Sequence, residues 1–86
     1  MKYRYSDSVL NQLSLHGIVP TGETPPEFVH DFVNGLYVYE IRKLKQRMLS
    51  RLIPKSQYAA AVADLRARYP ILSLPIHHWA AVVDAV

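Results

Sequence analysis

Apolar side chains recur along this chain at helical spacing in four stretches, separated by turn residues and prolines. In the first, Val9, Leu10 and Leu13 share one face. Ser6 stands ahead of them, where its hydroxyl can accept from an unpaired amide, and Asp7 suits the positive end of the helix dipole. Gly17 supplies a left-handed stop, with Ile18 folding back toward Leu13 in a Schellman motif. The pattern predicts a helix over about 7–16.

The run from Ile18 to Pro26 has turn chemistry and no helical period. It closes on Thr24-Pro25-Pro26-Glu27, which fits a capping box with proline in the first helical turn. Val29, Phe32, Val33, Leu36, Tyr37, Ile41, Leu44, Met48 and Leu52 then follow in steps of mainly three and four up to Pro54, which predicts one long helix over about 25–53. Asn34-Gly35 interrupts this stretch with the dipeptide most typical of a two-residue β-hairpin. Too few residues separate Glu27 from Val33 for a helix and then a strand, and the period passes through Gly35 in phase. Helix is therefore preferred, with Gly35 as a kink or a close crossing.

Beyond Pro54, Ser56 can cap a third helix over about 56–69 whose face is Tyr58, Val62, Leu65 and Tyr69, with Asp64 and Arg68 at pairing distance along it. Ser73 can cap a last helix over about 74–85, with Pro75 in its first turn and Ile76, Trp79, Ala80 and Val83 turned inward. The expectation is an all-α, single-domain protein: a small four-helix domain built on the long central helix.

Composition sharpens this picture at two points. Half of the 86 residues are apolar and none is cysteine, so a small core must stabilise itself without disulfides or thiolate-bound metal, and self-association or a partner becomes the natural remedy. No apolar run approaches the roughly 20 residues that span a bilayer, and no secretory signal pattern is present, so a cytoplasmic location is expected.

Charge is distributed unevenly. The net charge is +3, yet Arg42, Lys43, Lys45, Arg47, Arg51, Lys55, Arg66 and Arg68 stand against Asp64 alone, which leaves residues 41–68 at +7. Residues 1–40 carry −3. Such asymmetry suits an anionic partner, or two copies that pair unlike halves.

Chemistry is harder to find. There is no cysteine nucleophile, no serine in a Gly-x-Ser-x-Gly elbow and no glycine-rich phosphate loop, because Gly17, Gly22 and Gly35 stand apart. His77-His78 resembles a metal pair, but adjacent helix positions diverge by about 100°, and Asp84 lies too far along to share an ion. These histidines read as solvated or half-buried near a helix start, and His16 and His30 show no partner in the sequence. Neither a catalytic residue, a metal site, a cofactor nor a small-molecule substrate is indicated.

Glu40 is unusual, since it projects near the middle of the apolar stripe between Leu36 and Leu44; a salt bridge to Lys43, Arg47 or a base from another helix is the preferred account, and a carboxylate kept for a partner or a register-setting pair in a dimer the other. The favoured function is a small non-enzymatic protein–protein interaction module, self-associating or docking to another protein, with Tyr37, Tyr39 and Glu40 as interface candidates. The alternative is nucleic-acid or other polyanion binding through Arg42, Lys43, Lys45, Arg47 and Arg51.

Overall fold

The computed structural model describes residues 2–83 and holds three α-helices, with the two ends of the chain joined in a small sheet. Strand β1 (Tyr3–Tyr5) leads into α1 (Asp7–Leu15), α2 (Pro26–Leu49) and α3 (Lys55–Ala67). Two 3-10 turns, Pro70–Ser73 and Ile76–His78, then bring the chain to β2 (Ala80–Val82). The strands pair antiparallel, with Tyr3 opposite Val82 and Tyr5 opposite Ala80.

Helix α1 forms as its sequence dictates. The Ser6 hydroxyl accepts from the Val9 amide at 3.3 Å. At the other end Gly17 has φ +75°, and the amides of Gly17 and Ile18 donate to Ser14 and Leu13, each at 3.0 Å. This is the Schellman stop in full.

Helix α2 runs unbroken through Asn34-Gly35. Its ends correct the expected span of 25–53. Thr24 does not cap it: the Thr24 hydroxyl accepts from the Thr21 amide at 3.0 Å and its carbonyl accepts from the Tyr5 hydroxyl at 2.5 Å, so Thr24 belongs to the preceding turn and Pro25 takes the cap position. The helix stops at Leu49 because residues 50–53 must turn before Pro54, which disfavours helical backbone just ahead of it. Arg51 takes φ +62°, with its amide on Met48 at 3.0 Å and that of Leu52 on Arg47 at 2.8 Å. A second Schellman stop results, with arginine where glycine is usual.

The four-helix expectation fails at the C-terminus. Over 74–83 there is no α-helix but a 3-10 turn and a strand, and the rest of the expected span, residues 84–85, lies outside the described residues. Tertiary bonds explain the difference. The Trp79 indole donates to Leu74 at 2.9 Å and its carbonyl accepts from the Ser6 amide at 3.1 Å, while the Val83 amide donates to Lys2 at 2.9 Å. Each ties down a backbone group or side chain that a helix would place elsewhere. Ser73 does not cap a helix but donates to Pro70 at 2.7 Å. Likewise α3 starts at Lys55 behind Pro54, without a Ser56 cap, and ends at Ala67, two residues before Tyr69.

Full burial is confined to one end of a molecule 58 × 19 × 17 Å across. Tyr5, Val9, Leu13, Val29, Val33, Leu65, Tyr69, Ile71 and Trp79 form a single cluster, with Leu13, Val33 and Trp79 wholly inaccessible. Between Val33 and Leu65 no residue is fully buried. The protein therefore has a head, made of the sheet, α1, the start of α2 and the end of α3, and an arm, made of the distal parts of α2 and α3 packed side by side.

Candidate interaction surface

The arm carries most of the positive charge of residues 41–68, and the end of α3 beside the head carries the rest. Arg42, Lys43, Lys45 and Arg47 lie on the second half of α2, Arg51 in the left-handed turn beyond it, and Lys55, Arg66 and Arg68 on or just after α3. All eight are exposed, and among the described residues none forms an ion pair. The expected Asp64–Arg68 pair is not made. Only Lys43 finds a partner of another kind, its ammonium 5.4 Å from the centre of the Tyr39 ring.

These bases do not share one face. Lys43 and Arg47 line a cavity of about 280 Å³ between α2 and α3, with Glu40, Asp64 and Arg68 around it. By helical spacing Arg42 and Lys45 project from the opposite side of α2. Three cations and two carboxylates line this cavity without direct pairing, which leaves it a small net positive charge.

Where the arm joins the head, Glu40 accepts a hydrogen bond from the Tyr69 hydroxyl, and no base pairs with it among the described residues. The expected salt bridge is thus replaced by a phenol. Burial pushes the Tyr69 hydroxyl up to about 12, helped by its hydrogen bond to Glu40 and by that carboxylate's charge. His16 stacks on Tyr69 at 4.3 Å between ring centres, and Tyr37 meets it edge-on at 5.3 Å. The four side chains form a cluster at the junction that ties α2 to the chain leaving α3. With its phenol held neutral to about pH 12, Tyr69 serves at neutral pH as a hydrogen-bond donor to Glu40.

The three interface candidates consequently separate. Glu40 and Tyr37 are half-buried and engaged by Tyr69, whereas Tyr39 is 61% exposed. Sequence reasoning passed over two other features. Phe28 and Phe32 are largely exposed on α2, and with Val19 they border a cleft of about 290 Å³ against the loop at Gly17–Pro20. At the far end, Leu49 and Leu52 are exposed at the tip of the arm. Phe32 and Leu52, both expected in the inward stripe, lie outside it, Leu52 because α2 stops at Leu49; the useful signal for Phe32 is its spacing of four from Phe28, which marks a second stripe.

His77 and His78 are exposed with rings 4.2 Å apart, His30 leans on Trp79 at 5.3 Å, and no cluster of three or more metal-ligating side chains exists among the described residues. No helix here is long and apolar enough to cross a membrane among those residues. Compared with protein families, curated proteins and solved structures, the chain matches none of them significantly.

Proposed function

We propose that this protein is a non-enzymatic association module in which the head holds the fold and the outer side of α2, together with the arm, makes the contact. The observation that carries the reading is the exposure of Phe28, Phe32, Tyr39 and Leu49 along α2, and of Leu52 just beyond its end, while the head holds the buried core. Large apolar patches rimmed by charge mark association surfaces. A cytoplasmic setting belongs to the same proposal.

Its test is a comparison of the intact chain with a Phe28→Asp/Phe32→Asp/Leu49→Asp variant that keeps its circular dichroism. Stoichiometric association, with itself or with a co-purifying protein, is expected for the first and absent for the second. Equal behaviour of the two overturns the reading.

A second reading rests on the eight exposed bases of residues 42–68 without ion pairs, most of them on the arm, which could contact phosphates of a nucleic acid. Binding of labelled DNA and RNA at two salt concentrations tests it. Affinity that is absent, or indifferent to salt, removes it.

A further inference from the structure

Helix α2 carries a second periodic row that the fold leaves unused. Phe28, Phe32, Gly35, Tyr39, Arg42, Gln46 and Leu49 follow one another by four, three, four, three, four and three, the spacing of a helix-pairing seam. All seven are exposed, on the side of α2 opposite Val29, Val33 and Leu44. The apolar members Phe28, Phe32, Tyr39 and Leu49 are 67%, 54%, 61% and 67% exposed. Gly35 sits at the seam's third position, where an added methyl would meet nothing within 4 Å in its own chain. Glycine weakens a helix interior, and no contact inside the molecule accounts for it here.

Charge selects what lies against this row. Glu27 and Asp31 occupy the first half of α2, while Arg42, Lys43, Lys45 and Arg47 occupy the second, and Glu40 is turned inward to Tyr69. A parallel copy would set four bases against four bases. An acidic helix from another protein would suit the second half but repel the first. An antiparallel copy lays acid on base at both ends at once, because a two-fold axis repeats every contact.

We propose that α2 pairs antiparallel with α2 of a second copy about a two-fold axis at Tyr39, an inference that rests on the association reading above. Tyr39 then faces itself, while Phe28 lies within one residue, about 1.5 Å, of level with Leu49 of the second copy, and Gly35 equally close to level with Arg42. Leu49 enters the cleft of about 290 Å³ beside Val19, Phe28 and Phe32. Gly35 allows the Arg42 stem to cross closely. Asp31 and Lys45 share a flank and are within about 3 Å of level, at 1.5 Å rise per residue.

The absence of cysteine makes the arrangement directly testable. Under mild oxidation Y39C is expected to form a disulfide-linked dimer alone. F28C and L49C are expected to cross-link when mixed and neither by itself. In sedimentation the wild-type mass rises toward two copies with concentration. Asp31→Lys weakens that association about tenfold, through two reversed pairs of roughly 0.7 kcal/mol each, and adding Lys45→Asp restores most of it. Self-linking of F28C, which signals a parallel pair, overturns the proposal. So does a wild-type monomer at several hundred micromolar in the absence of cross-links. If such a monomer still captures another protein through this face, the association reading stands and the second copy alone is rejected.

Discussion

The head and the arm share two helices yet are held together differently. In the head, Trp79, Leu13 and Val33 are wholly out of water and the chain ends are stitched by β1 and β2. In the arm, Ile41, Leu44, Met48, Tyr58 and Val62 are only half covered, and charge of one sign dominates the surface. Apolar area removed from water stabilises a fold roughly in proportion, so each arm residue contributes less than its counterpart in the head. The arm is the part of the protein that contact with something else would stabilise most.

The sharpest way to break this comparison is to remove one side chain from each region. Trp79→Ala deletes a fully buried ring and its hydrogen bond to Leu74, at an expected cost of about 3–5 kcal/mol, enough to unfold a domain of this size. Leu44→Ala in the arm should cost only about 1 kcal/mol, since its site is already half open to solvent. Urea denaturation measures both; equal losses would mean the arm is packed as tightly as the head.

The junction gives the next effect, and it depends on pH. Tyr69 has a folded-state value near 12 against about 10 unfolded, so the neutral form is favoured by folding. Its contribution is complete below pH 10 and is lost as pH rises through 10 to 12, to a limit of about 2–3 kcal/mol. Tyr5, also raised, by burial first and Glu27 second, adds to the same alkaline loss. Tyr69→Phe should lower stability at pH 7 by about 1–2 kcal/mol, leaving Glu40 without its donor, and should flatten the alkaline decline. An unchanged decline in that variant would assign it to other groups.

The elements legible in the sequence are those governed by local rules. Ser6, Gly17 and Ile18 fix the ends of α1 through bonds within a few residues, and the period of α2 overrides Asn34-Gly35 because a 24-residue helix cannot readily surrender its middle. What was missed depends on residues far apart in the chain. The strand Ala80–Val82 exists because Tyr3–Tyr5 pairs with it, and short segments read at helical spacing cannot reveal a partner some 77 positions away. The alternation Tyr3-Arg4-Tyr5 and the β-branched Val82-Val83 were the only local hints. Of the candidate surface, the charge asymmetry was legible and the outer Phe28–Leu49 row was not, because the inward stripe absorbed Phe32. Glu40 stood out correctly as unusual, but its phenolic partner lies 29 residues away.

A smaller effect sharpens the reading of α2 itself. Gly35→Ala should stabilise the protein by about 0.5–1 kcal/mol in dilute solution, where only helix propensity acts and the new methyl meets open space. At concentrations that favour self-association the gain should shrink, because the methyl then obstructs a close crossing. Thermal melts over a range of concentration separate the two; a constant gain would remove Gly35 from any interface.

The smallest effect expected concerns the tip of the arm. Arg51 holds φ +62° at the end of α2, a conformation that costs a side-chain-bearing residue roughly 1–2 kcal/mol and costs glycine almost nothing. Glycine also loses more freedom on folding, which returns roughly 0.5–1 kcal/mol of that advantage. Arg51→Gly should therefore raise stability by about 0.5 kcal/mol. Arg51→Ala is the control, since it removes the same charge near the helix C-terminus but keeps a side chain in the left-handed region. A rise in the urea midpoint for the glycine variant alone locates strain in the backbone of the turn. Equal rises in both would trace the effect to relief of crowding among Arg47, Arg51 and Lys55 instead, and would make the arm's charge, not its turn, the source of its weaker hold.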